Sequence, residues 1–132
     1  LAMLDCLRAH DIPRAVATST RRPLALRKLQ ASGLLPHFDA VCTSSDVEHP
    51  KPAPDVYLLA AHSLGVDPKR CLVLEDSPTG VRAALAAGMY PIQIPDLLEP
   101  DDTVRALGHV ILPSLEQARV LLERRLAAYP DI

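Results

Sequence analysis

The fold is decided by one stretch, residues 71–80, which reads CLVLEDSPTG. Its first four residues are apolar, and a short apolar run bounded by turn-forming residues is typical of a buried β-strand. Two carboxylates, Glu75 and Asp76, follow directly. Ser77 and Pro78 then favour a helix start, since Ser is a good N-cap and Pro is tolerated in the first turn. The stretch predicts a strand that ends in acidic side chains and leads into a helix.

The same alternation continues along the chain. We predict strands at 14–18, 40–43, 71–74, 91–94 and 109–112, and helices at 2–9, 23–32, 54–64, 78–87 and 115–128, with a long surface loop at 95–102. Gly33, Gly65 and Gly88 each follow a predicted helix, where a left-handed residue commonly closes it. Strands that alternate with helices of about ten residues indicate an α/β domain with a mainly parallel sheet.

The composition excludes several classes of function. The 132 residues are 48% hydrophobic and 23% charged, as expected for one globular domain. A net charge of −2 and only four Tyr and Phe residues, without Trp, argue against a nucleic-acid partner. No apolar run approaches the ~18 residues that a membrane span needs. Cys6, Cys42 and Cys71 are an odd, scattered set, so we expect buried thiols in a reducing compartment, the cytoplasm.

The acidic pair at the end of the 71–74 strand is a candidate metal site. In parallel α/β sheets ligands bind beyond the carboxyl ends of the strands. We therefore expect Thr18, residues 43–44, Glu75 and Asp76 to face one crevice. Hard oxygen ligands suit Mg²⁺, with Asp76 the favoured direct ligand and Glu75 binding directly or through water. The alternative is that both acids only favour the N-terminus of the next helix.

A second candidate is the polar segment ATSTRRP at residues 17–23. The hydroxyls of Thr18, Ser19 and Thr20 and the free N–H groups of a helix N-terminus would form an anion site. Arg21 would add a bidentate phosphate contact. The alternative is that Thr20 is an ordinary N-cap and that the arginines are solvated.

The third candidate is Lys51 in KPAPD, residues 51–55. The flanking prolines restrict the backbone, and a lysine held rigidly at a cleft neutralises a phosphate or a carboxylate. The alternative is a surface lysine before a helix. His49 lies two residues earlier and is expected to be exposed. The chain has no GxGxxG, Walker or GxSxG motif.

The order of these motifs resembles the haloacid dehalogenase-like hydrolases. The wording HPKPAPDVY at 49–57, LEDSPTGVRAALAAGM at 74–89 and PIQIP at 91–95 is most similar to the β-phosphoglucomutase-like branch, which carries an α-helical cap. The resemblance covers essentially the whole chain. It implies a three-layer, Rossmann-like parallel sheet with helices on both faces.

The resemblance also implies roles for the motif residues. Thr18 resembles the hydroxyl that hydrogen-bonds the transferring phosphoryl group. Lys51 resembles the lysine that stabilises the nucleophile and the developing negative charge. Glu75 and Asp76 resemble the acids that hold Mg²⁺.

A weaker part of the resemblance concerns the loop after the first strand. Ser19, Thr20 and Arg21 occupy the positions that contact a substrate phosphate in mutase-like members. These three residues are therefore the expected substrate-binding set.

The family's first motif, DxDxT, is missing from this sequence. Its first Asp is the nucleophile and its second the general acid/base, yet no DxD occurs, and Asp96, Asp101 and Asp102 come too late in the chain. The helical cap is missing as well. We therefore expect residues 1–132 to be a partial core domain. A preceding segment or another chain would supply the strand between those that end at Thr18 and Leu74, and the 132 residues alone would have no turnover.

The expected parent activity is that of a Mg²⁺-dependent phosphatase. It would act on a small phosphorylated metabolite through an aspartyl-phosphate whose Asp lies outside this sequence. One alternative is a sugar phosphomutase, in which a second substrate hydroxyl replaces water. Another is a non-catalytic truncated member of the family. Haloacid dehalogenation is less favoured, because its chemistry does not need the Mg²⁺-binding acids.

Overall fold

A computed structural model describes residues 2–95 and 100–128. In chain order the helices and strands of these residues are α1 (Ala2–Ala9), β1 (Ala15–Ala17), α2 (Arg22–Ala31), β2 (Ala40–Cys42), α3 (Asp55–Leu64), β3 (Leu72–Glu75), α4 (Pro78–Ala86), β4 (Tyr90–Gln93), α5 (Asp102–Arg105), β5 (Val110–Ile111) and α6 (Leu115–Ala128). Short 3-10 turns occur at Leu35–His37, Ser44–Asp46 and Pro68–Arg70. Every predicted strand and helix is present, within two residues at each end.

The structure differs from the prediction in a few short elements. The four-residue helix α5 and the three 3-10 turns were not expected. The predicted loop at 95–102 lies partly outside the described residues, and its last residue already begins α5, which Asp101 caps by accepting a hydrogen bond from the Val104 N–H at 2.9 Å.

All described strand pairs are parallel, as predicted, but they form two sheets. β1 pairs with β2, placing Ala15 opposite Ala40. β3 pairs with β4, and β4 pairs with β5. Among the described strands no ladder joins β1 to β3. The expectation that these two strands are not direct neighbours therefore agrees with the pairing.

Helices cover both faces of the three-stranded sheet. Successive residues of a strand point to opposite faces. Val73 accordingly packs in a cluster with residues of α3 and α4, whereas Leu74 packs in a second cluster with residues of α1 and α6. This confirms the three-layer α/β architecture.

Helix α3 connects the two sheets. It packs against β1, β2 and α4, and its buried residues Val56, Ala60 and Ala61 share one cluster with Cys42 of β2 and Val73 of β3. The carboxyl ends of β1 and β3 are thereby held on the same side of the domain.

Two of the three cysteines are buried, as the sequence predicts. Cys6 and Cys42 are buried, Cys71 is half-buried, and all three are free. No described helix combines the length and apolarity that crossing a membrane requires.

Candidate active site

An open cleft of about 330 Å³ lies at the carboxyl ends of β1 and β3. It is lined by most of the residues that the sequence singled out, together with four neighbours: Thr18, Ser19, Thr20, Lys51, Glu75 and Asp76, with Ala17, Leu74, Ser77 and Thr79. Three motifs that are far apart in sequence therefore meet in one place.

Lys51 reaches both sheets. Its Nζ donates to the Ala17 carbonyl at the end of β1 (3.1 Å) and to Oε2 of Glu75 at the end of β3 (2.8 Å). The side chains of Lys51 and Glu75 are only 9% and 11% exposed. This burial excludes the alternative that Lys51 is a solvated surface lysine.

The Glu75 carboxylate is bonded at both oxygens. Oε2 accepts from Lys51 and from the Tyr57 hydroxyl, and Oε1 accepts from the Asp76 N–H at 3.1 Å and, more weakly, from Ser77. Burial opposes ionisation, but the hydrogen bonds from Lys51 and Tyr57 outweigh it and lower the pKa of Glu75 to about 2. Glu75 is therefore a fixed negative charge at the base of the cleft.

Sequence reasoning missed two residues that touch Glu75. Tyr57 lies one turn into α3, where it looks like an ordinary apolar core position, yet its hydroxyl is 2.5 Å from Glu75 Oε2. Gly80 lies in α4 with its Cα against the Glu75 side chain. A glycine inside a predicted helix was the available signal for a close approach.

The loop after β1 is closed by its own hydroxyl. Thr18 Oγ1 accepts from the Thr20 N–H at 3.1 Å, and the Thr20 carbonyl accepts from the Ser44 N–H at 3.3 Å. Thr20 is not the N-cap of α2. Arg21 holds that position and makes no side-chain capping bond.

Arg22, not Arg21, joins this loop to the next one. Its guanidinium donates to both Asp46 carboxylate oxygens and to the Val41 carbonyl, and its N–H donates to Ser45 Oγ. The bond from Arg22 lowers the pKa of Asp46 to about 2, against a smaller opposing effect of burial. The loops after β1 and β2 are therefore braced against each other.

Some candidates lie away from the cleft. Arg21 is exposed and is not part of the cleft lining. Thr43 is fully buried and caps the turn Ser44–Asp46, so the expectation that it faces the crevice is wrong. His49 is exposed, as expected, and bonds Asp55 Oδ2 at 3.1 Å.

The acidic residues fit a divalent cation of the magnesium type. Mg²⁺ usually keeps several waters and is held by one or two carboxylates together with substrate phosphates. Asp76 is exposed at the cleft and Glu75 lies beside it, which supplies such oxygen donors. No group of three or more His, Cys, Asp or Glu side chains suited to a metal occurs in the described part of the chain. Glu75 and Asp76 are thus typical of a site for a hydrated ion whose remaining ligands come from elsewhere.

The chain is similar to known hydrolases and phosphatases. A family model of haloacid dehalogenase-like hydrolases matches residues 1–88. Hexitol phosphatase A of Escherichia coli K12 is 41% identical over 122 residues, which cover 91% of this chain and 54% of that protein. Fructose-1-phosphate phosphatase YqaB of the same strain is 44% identical over 82 residues, covering 62% of this chain and 44% of that protein.

A solved structure shares the fold of this chain. β-Phosphoglucomutase of Clostridium difficile superposes with a TM-score of 0.76 at 21% identity, covering 88% of this chain and 49% of that one. At this identity the likeness concerns the fold alone. The chain spans about half the length of the curated relatives that it matches.

Proposed function

Because the chain belongs to the haloacid dehalogenase-like hydrolases, we propose that its cleft is the larger part of a phosphatase active site. The observation that carries the proposal is the placement of Lys51. Its ammonium is held between the ends of β1 and β3, in the same cleft as the hydroxyl of Thr18. A buried cation beside a hydroxyl donor is suited to stabilise a transferring phosphoryl group.

The proposed reaction has two displacements. An aspartate carboxylate outside this sequence attacks phosphorus, and the bond from phosphorus to the substrate oxygen breaks as that oxygen takes up a proton from a second aspartate, also outside this sequence. Water then gives a proton back to the second aspartate as it attacks the aspartyl-phosphate, which releases inorganic phosphate and regenerates the first carboxylate. Lys51 neutralises charge on the attacking carboxylate and on the phosphoryl oxygens, and Thr18 donates a hydrogen bond to one of those oxygens.

The remaining residues of this chain orient the reactants. Ser19 and Thr20 supply hydroxyl and backbone donors for a substrate phosphate. Arg21, exposed at the start of α2, would contact substrate only from the rim of the cleft. Asp76 directly, and Glu75 through water, would hold Mg²⁺, which when bound supplies positive charge beside the phosphoryl oxygens.

The split sheet supports the idea that a strand carries the missing aspartate. Among the described strands β1 pairs only with β2 and β3 only with β4, and Lys51 connects the ends of β1 and β3. We propose that a strand from the same protein or from another chain lies between them and brings the nucleophile next to Lys51. This strand would also pair backbone groups on edges that would otherwise lack ladder partners.

The substrate class is proposed from the relatives. Two of them are named a hexitol phosphatase and a fructose-1-phosphate phosphatase. We propose a phosphorylated sugar or sugar alcohol of similar size as the substrate. The three free thiols support the cytoplasm as the compartment.

The test is phosphate release by the full-length gene product. Its intact mass is measured first, because a mass of 14.3 kDa would mean that the molecule carries no more than these residues. Hexitol and hexose monophosphates are then assayed with Mg²⁺ and with chelator. Asp76→Asn is compared with Asp5→Asn, since Asp5 is exposed on α1 and is not part of the cleft lining.

We expect Mg²⁺-dependent phosphate release that Asp76→Asn abolishes and Asp5→Asn leaves unchanged. Exchange between sugar phosphate isomers without phosphate release would instead identify a phosphomutase. A protein of full mass that neither hydrolyses nor isomerises these esters would overturn the proposal in favour of a non-catalytic role.

A further inference from the structure

Tyr57 of α3 contacts both members of the buried ion pair in the cleft. Its hydroxyl lies 2.5 Å from Glu75 Oε2, and its ring centroid lies 4.8 Å from the Lys51 Nζ. The residue is 5% exposed. A single buried side chain therefore restrains the anion with its polar end and the cation with its ring.

The hydroxyl of Tyr57 acts as a hydrogen-bond donor. An ionised carboxylate only accepts, so the proton of this bond belongs to the tyrosine. Burial and the neighbouring Glu75 raise the pKa of Tyr57, which keeps this proton in place. With Lys51 as the second donor, the position of Glu75 Oε2 is fixed from two directions.

The ring of Tyr57 restrains the ammonium of Lys51. A cation within about 6 Å of an aromatic centroid is attracted to the ring face. An ammonium has three N–H donors, and two of them bond Ala17 and Glu75. The third has no acceptor among the described residues, so it is available to a group in the cleft.

We propose that Tyr57 is a positioning residue for phosphoryl transfer. It orients Lys51 so that the remaining N–H points to the transferring group, and it does so without touching substrate. This inference rests on the proposed phosphatase function and adds to it a residue outside the cleft lining. The competing explanation is that Tyr57 only fills the core between α3 and β3.

The two explanations separate because phenylalanine keeps the ring and the packing. We would compare Tyr57→Phe and Tyr57→Leu with wild type in the full-length gene product. Tyr90→Phe is the matched control, since Tyr90 is 64% exposed at the start of β4 and also loses only a hydroxyl.

Two readouts are needed. The first is kcat and KM for the best sugar phosphate. The second requires no activity: proton exchange of the lysine ammonium groups by ¹⁵N NMR. Of the three lysines in residues 1–132, Lys28 and Lys69 are exposed, so Lys51 should give the most slowly exchanging signal of these three. The signal is assigned by its loss in Lys51→Arg.

The expected result is a kcat lowered about tenfold in Tyr57→Phe with KM within about twofold, because one hydrogen bond to a charged group is lost. The Lys51 ammonium should exchange faster in the same variant. Tyr57→Leu should show larger changes in both, and Tyr90→Phe neither.

An active wild type with unchanged kcat or unchanged ammonium exchange in Tyr57→Phe would overturn the positioning role and leave the phosphatase proposal standing. A wild type without activity on any ester would overturn the phosphatase proposal, and the catalytic role of Tyr57 with it. The exchange rate of the Lys51 ammonium would still show whether Tyr57 restrains Lys51, because this measurement does not require activity.

Discussion

Gly80 lies directly beneath the carboxyl group of Glu75, so closely that a Cβ on residue 80 would overlap Cδ and Oε2 of Glu75. Position 80 is buried inside α4, at an ordinary helical φ. The glycine is therefore required by the space that Glu75 occupies and not by the backbone conformation.

Gly80→Ala should lower both activity and stability. Alanine favours a helix interior by about 1 kcal/mol over glycine, which offsets part of the strain. The added methyl group displaces the Glu75 carboxylate from Lys51 and Tyr57. We expect at least about a tenfold loss of kcat, since misplacing a site by ~1 Å has large effects on rate, together with a lower Tm, since the buried pair is pushed apart. Wild-type kcat in this variant would show that Glu75 moves aside freely. Arg82→Ala, an exposed change in the same helix, is the control.

Removing the cation from the buried pair should destabilise the fold. In Lys51→Met, Glu75 keeps its charge without its partner, which costs about 3–5 kcal/mol for a buried pair. The double variant Lys51→Met, Glu75→Gln removes both charges and should be more stable than Lys51→Met alone. Urea unfolding of the two single variants and the double variant measures the coupling. Strictly additive effects would mean that the two groups do not interact.

Acid should weaken the brace between the loops after β1 and β2. The pKa of Asp46 is about 2 in the folded protein, below its usual value of 3.8. A carboxylate with a lowered folded pKa stabilises the protein above its unfolded pKa, and this contribution disappears as the pH falls from about 4 to 2. Asp46→Asn should therefore show a shallower loss of Tm over this range. Asp5→Asn is the comparison, and equal slopes in both variants would contradict the role of Asp46.

The pair formed by His109 and Gln93 should give a second pH dependence nearer neutrality. His109 Nε2 lies 2.7 Å from the buried Gln93 Oε1, whereas its Nδ1 is buried without a partner among the described residues. Burial lowers the pKa of His109 below 6.5, so the unfolded chain binds the proton more readily. Stability should fall as the pH drops from about 7 to 5.

His109→Gln tests this assignment because an amide still donates to Gln93 but does not titrate. The variant should lose the dependence of Tm on pH between 7 and 5. His62→Gln, at an exposed position of α3, should retain it. A retained dependence in His109→Gln would place its source elsewhere.

Local signals were sufficient to predict the elements and the meeting of the motifs. Ser77 caps α4 as expected, with its Oγ accepting from the Gly80 N–H at 3.0 Å, and α1 and α6 have the predicted bounds. Helix α5 was missed because four residues contain too little of a 3.6-residue period to be recognised.

The remaining errors concern the directions in which side chains point. Arg21 and Arg22 are identical neighbours, and no local pattern distinguishes them. Which guanidinium points toward Asp46 depends on where α2 begins, and the helix begins at Arg22. Tyr57 was not singled out, because its ring fits an ordinary apolar position of a helix. The hydrogen-bond partner of its hydroxyl is Glu75, which lies eighteen residues later at the end of β3. No local sequence pattern indicates that β3 lies close to α3.

The division into two sheets has a consequence for how the domain opens. Amide hydrogens of β1 and β2 belong to a small unit that rests on α3 and on the Lys51 contacts, whereas those of β3 and β4 lie within a three-stranded sheet covered on both faces. Hydrogen exchange follows such cooperative units. The first pair should therefore become deuterated through partial opening while the second is still protected. A strand that pairs with both β1 and β3 would merge the two units, so binding of that strand would make unfolding a single event.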